Sequence, residues 1–502
     1  SLESGLPLKD FEVVGFSLQY ELSYTTVLNM LDLGGVPIRS EERMDSDKPL
    51  PIVIAGGPCT VNPFPMAPFI DAFLIGDGEE AVVELIHTIK QWKINGDRKR
   101  ESLLKDISKI EGFYVPFVHS KDKTIRRRII LDLEQAPFPS KPVLPYMSII
   151  HDRLNIEVSR GCTMGCRFCQ AGMIYRPLRE RSLENVLHIA DESLKSTGYE
   201  EVSFTSLSAG DYSYLLLAIR EFNKRYSKNK IALSLPSLRV GSINKEVLSE
   251  IRSIRKTGFT MAPEAATERL RGVINKDFNE EGYEKALYTL FSEGWFNLKL
   301  YFMIGLPTET GEDIEYIPQM ALKALRIAKK MMGRFVNIGI TISPFVPKPH
   351  TPFQWYGQIR LDDIRYKQKF LKDALISKKF KYKGHDERMS YLEAIFSRGD
   401  ENLARLIESA WKLGCRLDGW SEVFNFDNWV DAMYKTGIDG RYYAEREFKI
   451  DEELPWDNID IGVKKDFLYK EYIKALSGEI TGDCRKQCTG CGLSCTVKHN
   501  SI

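Results

Sequence analysis

Ser159-Arg-Gly-Cys162-Thr-Met-Gly-Cys166-Arg-Phe168-Cys169 places three cysteines at a C-x3-C-x2-C spacing within eight residues. A [4Fe-4S] cluster takes one protein ligand per iron. Three thiolates therefore hold such a cluster and leave one iron open to something that is not protein. An electron carrier normally closes that position, whereas a catalyst keeps it open. Zinc competes for the same residues, but it prefers four ligands, and no histidine or fourth cysteine follows nearby. The next cysteine in the chain is Cys415. A disulfide framework does not suit nine cysteines spread through 502 residues.

The residues around this stretch order themselves in strand–helix units. Apolar strands read at 155–159, 201–205, 231–235, 258–261, 298–304 and 336–342. Between the first two, a helix is expected to start at Ser182 and stop at Gly198, with Leu183, Val186, Leu187, Ala190 and Leu194 on one face. Six such units suit an open (β/α)6 barrel. Ligands of α/β barrels sit at the carboxyl ends of the strands, and the cysteine loop follows the first strand there.

Upstream, Phe11 to Leu18, Pro51 to Pro58 and Ala72 to Gly78 read as apolar strands, two of them ending in glycines, with helical spacing at Ser23 to Leu33 and from Glu79 onward. Alternating strands and helices argue for a parallel, doubly wound sheet. The expected division is a Rossmann-like domain over 1–100, a proline-rich connector over 101–150, a core over 151–358 and a mainly helical, cysteine-rich region over 359–502. Lys348 and His350 lie in a proline-rich loop after the sixth strand, and a rigid turn with a solvated histidine is the simpler reading of that loop. The aromatic run 417–429 reads as core, as do the isolated Cys59 and Cys415.

Composition limits the partners. Seventy basic and 69 acidic residues leave a formal charge of +1, so no global field points to nucleic acid, which stays unsupported as a partner. The basic run from Lys121 to Arg128 reads as a solvated strand or hairpin. No stretch approaches the ~20 apolar residues that span a bilayer, and no signal-peptide pattern opens the chain. These features imply a cytoplasmic, reducing location without membrane attachment. The chain starts at Ser1 without methionine, which suggests a truncated or processed start.

The cysteine stretch, with the aromatic Phe168 before its last cysteine, resembles the signature of the radical S-adenosylmethionine (SAM) superfamily. The resemblance implies that SAM chelates the open iron and that an electron, from a reductant such as a flavodoxin or ferredoxin, splits it into methionine and a 5′-deoxyadenosyl radical. By the same resemblance, Ser208-Ala209-Gly210-Asp211 stands where the family binds the methionine amino group, with capping of the next helix as the alternative for Asp211. Glu264 resembles a polar residue that the family directs at SAM, with a capping or ion-pair role as the alternative. Ser237 and Arg239 follow the third strand, where they could contact the ribose or carboxylate, and Gly305-Leu306-Pro307 resembles the turn that faces adenine. No residue is assigned a catalytic role. The run Cys162 to Arg181, with His385 to Tyr391 and Cys415 to Ser421, resembles an uncharacterised group of radical SAM proteins linked to cobalamin-binding domains. Ser17, Gly56 and Gly57 occupy that domain's Ser and Gly-Gly positions, but its Asp-x-His-x-x-Gly segment is absent. Cobalamin binding and a Rossmann-like domain with an empty cleft both remain open, and with cobalamin the implied reaction is methyl transfer.

A second set, Cys484, Cys488, Cys491 and Cys495, has the spacing C-x3-C-x2-C-x3-C. Four thiolates saturate a metal, and an auxiliary [4Fe-4S] cluster and a structural zinc both fit.

Overall fold

Apolar side chains alternate along the central strands, and this period of two buries one face of each. Leu298, Leu300, Phe302 and Ile304 are buried on one strand, and Ile338, Ile340 and Ile342 on its neighbour. The computed structural model describes residues 4–493 except 47–48, 97–98, 148, 236–238, 244, 253–257, 334–335 and 377–379. Within it the six expected core strands form, as Leu154–Glu157, Glu201–Thr205, Ala232–Ser234, Phe259–Glu264, Asn297–Ile304 and Asn337–Pro344. Helices separate them. The helix Leu183–Thr197 starts as expected, with Ser182 Oγ accepting from Asn185 N at 3.1 Å, and stops at Gly198 with φ +69°.

The first three core strands make one sheet with the second strand in the middle, and the fourth, fifth and sixth make another in sequence order. Every pairing within these two sheets is parallel. A seventh parallel strand, Phe380–Gly384, pairs with the sixth. The region from 359 is expected to be mainly helical, but its first helix ends at Leu375 and this strand follows. Phe-Lys-Tyr-Lys-Gly is a lysine-bearing edge strand, mostly exposed. Lysine protects a free sheet edge and also favours helix, so its pattern gives little strand signal.

Contacts divide the chain into two compact units that are discontinuous in sequence. The core unit comprises 131–345, 362–385 and 470–502, and the front unit 1–130, 346–361 and 386–469. The expected contiguous segments therefore need correction at two places. Residues 100–130 are not a bare connector: they supply the helix Arg100–Ile107 and the strand Phe113–Tyr114, antiparallel to the front sheet. Their apolar residues Leu103, Leu104, Ile107 and Phe113 complete the front core, so burial rather than the later prolines decides where they belong. The region 359–502 is likewise not one body, because 386–469 clusters with the front unit and the cysteine-rich end with the core unit.

In the front sheet, Val13–Ser17, Ile52–Gly56 and Ala72–Leu74 run parallel. The basic run is built into this unit: Ile125–Arg126 pairs with Ile459–Asp460, Arg127 is buried, and Arg128 donates to Glu80 and Glu84 at 2.7 Å each. The aromatic run 417–429 is split, with Trp429 buried and Trp420 exposed. Cys59 and Cys415 are buried, as their isolation suggests. His350 is not solvated: its Nε2 lies 3.0 Å from Val61 O, and burial lowers its pKa to about 4. Lys348 is also enclosed, held by Glu21 at 2.6 Å, Glu393 at 2.8 Å and Ser397 Oγ at 2.9 Å.

Candidate metal and cofactor site

Parallel strands put all their carboxyl ends on one edge of a sheet, so the loops after them are neighbours. The cysteine loop leaves the first core strand through a two-residue neck, Ser159–Arg160, paired antiparallel with Arg179–Glu180. Gly161 closes that neck at φ +92°, where a Cβ would fall 2.5 Å from Pro177 O. Only glycine fits there. The third cysteine starts the short helix Gln170–Ile174, and its Sγ accepts from Gly172 N at 3.3 Å. Cys162, Cys166 and Cys169 are all half-buried.

Burial raises the pKa of Cys162, and raises that of Cys169 to about 12, with the other thiols of the loop pushing the same way. Bound metal would stabilise the thiolate forms of Cys162 and Cys169 against this shift. Among the described residues, no three His, Cys, Asp or Glu side chains are grouped to hold a metal ion. A cluster makes a different demand, because each thiolate takes its own iron and the ligands surround a volume. The donor set therefore fits a cluster: soft thiols on a pinned loop, next to open space.

That space is a cleft of ≈ 220 Å³, counting its open mouth. Its wall combines the cysteine loop (Gly161, Cys162, Thr163) with the segment after the second strand (Ser206, Ser208, Asp211). Ser159 Oγ bonds Ser206 Oγ at 2.8 Å, which in turn accepts from Ser208 N at 3.1 Å. Ser208 Oγ donates to Asp211. Ala209 is buried beneath this turn and Gly210 is half-buried. Asp211 does not cap the following helix, which begins at Leu215 after Tyr214. Instead Arg239 clasps its carboxylate with two bonds, at 2.8 and 2.9 Å. Burial works to lower the Arg239 pKa, but the Asp211 carboxylate outweighs it and raises the pKa.

The fourth strand brings Glu264 to its end with φ +66°, after a register shift from Met261. Burial raises the pKa of its carboxyl, and its cation is Lys276 at 3.9 Å. Lys276 also lies 6.0 Å from the ring of Phe168 and donates to Ala262 O at 3.2 Å. After the fifth strand, Gly305-Leu306-Pro307 is buried. Gly305 N donates to both carboxylate oxygens of Glu309 at 2.9 Å, so this turn is braced from within by Glu309, itself paired with Lys367.

The structure thus groups the cysteines with Ser208, Asp211 and Arg239, and places Phe168 with Lys276 and Glu264. Ser237 and Cys495 lie outside the described residues. Residues that the sequence reading passed over are Thr163, Lys276, Asn275 and Arg485. Asn275 Nδ2 donates to Met164 O at 3.0 Å and Gly165 O at 3.1 Å, bracing the cysteine loop. Only its φ of +57°, which asparagine tolerates, marks it out, and that cannot be read from sequence.

The tail set is half-visible. Cys484 is half-buried, Cys488 exposed and Cys491 buried. Gly490 and Gly492 flank Cys491 at φ +73° and +107°, letting the chain wrap round a ligand. Thr489 Oγ1 is buried without a hydrogen-bond partner in the described structure. An orphaned hydroxyl between two thiols fits a missing acceptor, such as a metal-bound sulfur. At the front sheet, Ser17 and Gly56 are register partners at the strand ends, and a Cβ on Gly56 would meet nothing within 4 Å. Gly57 is instead used in packing, at φ +100°, where a Cβ would lie 2.8 Å from Leu18 O. Ser17 is exposed and Gly56 half-buried at these strand ends.

The chain is similar to several known proteins. Residues 156–321 match the radical SAM superfamily model, and residues 1–116 match the model for radical SAM proteins, N-terminal. An uncharacterised protein of Methanocaldococcus jannaschii is 29% identical over 416 residues, covering 81% of this chain and 82% of that one. The anaerobic magnesium-protoporphyrin IX monomethyl ester cyclase of Cereibacter sphaeroides is 24% identical over 51% of this chain, which spans only 41% of the cyclase. Among solved structures, the cobalamin-dependent radical SAM enzyme OxsB, with aqua-cobalamin and SAM bound, is 13% identical over 93% of this chain and 70% of its own, with a TM-score of 0.49. With one family model over the strands that carry the three cysteines and another over the front of the chain, this protein belongs to the radical SAM superfamily and is a radical SAM enzyme.

Proposed function

We propose that Cys162, Cys166 and Cys169 hold a [4Fe-4S] cluster in a partial (β/α)6 barrel, and that the cleft beside them receives SAM. When bound, the pair supplies a 5′-deoxyadenosyl radical, formed with one electron from a flavodoxin- or ferredoxin-like reductant, to take hydrogen from an organic substrate. The observation that carries this reading is the shared cleft, whose wall holds both Cys162 and Asp211. Asp211 would accept from the amino group of the methionyl end, and Arg239 would address its carboxylate. Glu264 and the Gly305-Leu306-Pro307 turn border the nucleoside end. The parallel front sheet is a Rossmann-like unit of cobalamin-binding type, in which Ser17 and Gly56 would meet the corrin edge and extend the chemistry to methyl transfer.

Anaerobic reconstitution followed by dithionite and SAM tests the first claim. 5′-Deoxyadenosine and methionine should form in equal amounts with the unaltered chain and fall to background with Cys166→Ala. A fully loaded cluster that leaves SAM intact would contradict it. Cobalamin retained through anaerobic gel filtration, and lost with a bulky residue at Gly56 (Gly56→Leu), checks the front unit.

A further inference from the structure

The cysteine-rich tail is built into the cysteine loop of the core unit. Arg167 stands between two cluster cysteines, and its side chain is 0% exposed. It donates to Glu479 O at 2.6 Å and Gly272 O at 2.9 Å and pairs with Glu471 at 3.1 Å. Asn275 joins the same surfaces: besides Met164 and Gly165, it donates to Thr481 O at 3.0 Å and accepts from Thr481 N at 2.8 Å. These contacts already anchor the tail.

Arg485 does something else. Asp483 holds its guanidinium at 2.6 and 3.0 Å. From there Nη1 donates to Asp211 O at 2.8 Å, and Nη2 lies 3.8 Å from the Asp211 carboxylate. Arg485 is 28% exposed at its side chain, so it adds little burial. It reaches Asp211, which with Glu180 supplies the carboxylates that line the cleft next to Cys162. In sequence it also sits between Cys484 and Cys488, the first two cysteines of the tail set.

The charges explain why this contact matters. Arg239 and Arg485 face Asp211 and Asp483, and Glu180 on the same cleft wall adds one further carboxylate. An amino group that donates to the Asp211 carboxylate shares it with Arg239. Arg485 holds the Asp211 main-chain oxygen as well, so the tail keeps Asp211 in place while its side-chain partner changes.

We infer that the cysteine-rich tail is part of the SAM site, with Arg485 as the residue that positions Asp211, so that metal in the tail sets the affinity of the first site for SAM. This rests on the reading of the first site given above. The test uses the full chain, reconstituted anaerobically, with SAM affinity measured by equilibrium dialysis and iron and sulfide counted per chain. Arg485→Ala should keep the first cluster's iron and bind SAM about tenfold more weakly, the size expected for a lost charge-assisted bond. Arg485→Lys should recover part of the loss. Cys488→Ala, which strips metal from the tail, should weaken binding to a similar degree. Equal affinity in all four proteins would overturn the inference, as would loss of the first cluster in Arg485→Ala, which would make the residue a folding element. Unchanged affinity in Cys488→Ala, once its tail metal is shown to be gone, would overturn the dependence on tail metal. If the unaltered chain fails to bind SAM, the reading of the first site falls instead.

Discussion

Glu264 shows how one residue can be costly to the fold and useful to the site. Its backbone lies at φ +66°, a region side chains rarely occupy, and its carboxyl is withdrawn from water. Burial raises its pKa above the ordinary 4.5, with Lys276 opposing only in part. Between the unfolded and folded values the native state binds the extra proton, so stability falls as pH rises through that window and stays reduced above it. Glu264→Gln should therefore melt at a higher temperature than the unaltered protein at pH 8. The gap should close as pH falls toward 4.5, and a gap independent of pH would contradict the assignment. From sequence, Glu264 could be placed at a strand end, but neither its burial nor its partner Lys276 is visible in the residue pattern.

At the level of elements, the cysteine loop is rigid because three others hold it: the Arg179–Glu180 strand at its neck, the turn at Asn275 and the tail. Arg167 is the deepest of these ties. Arg167→Ala would remove the buried bonds to Glu479 O and Gly272 O and leave Glu471 to Lys474 at 3.3 Å and Thr481 Oγ1 at 2.8 Å, a loss of about 1–3 kcal/mol. Urea denaturation of the apo-protein should show that loss, and the reconstituted variant should carry less iron. A change below about 0.5 kcal/mol would mean that Lys474 and Thr481 hold Glu471 without Arg167. The six core strands and the capped helix at Ser182 were legible because their signals are local: apolar runs, a serine start and a glycine stop. The ties were not legible. Arg167 with Glu471 and Asn275 with Thr481 join residues far apart in sequence, and nothing in their spacing pairs them.

Across the whole molecule, the front unit draws on three separated stretches of chain. Asn62 donates to Ser397 O at 3.0 Å and Gly399 O at 2.9 Å, and Thr25 Oγ1 donates to Asp418 at 2.5 Å. A fragment of residues 1–130 lacks those partners and the lysine that neutralises buried Glu21. It should show no cooperative thermal transition by circular dichroism, and a sharp melt would contradict the division. Contiguous boundaries drawn from composition miss this arrangement, because compositional shifts follow the chain while burial follows contact. What the sequence did carry to this scale is the placement of the cysteine loop after the first of several parallel strands.

The central claim is that three thiolates leave one iron open to SAM, and electron–nuclear double resonance on the reduced cluster measures this directly. With SAM carrying ¹⁵N at its amino group and ¹⁷O at its carboxylate, both labels should couple to the iron. Absence of both couplings in a fully loaded cluster with SAM bound would contradict the account.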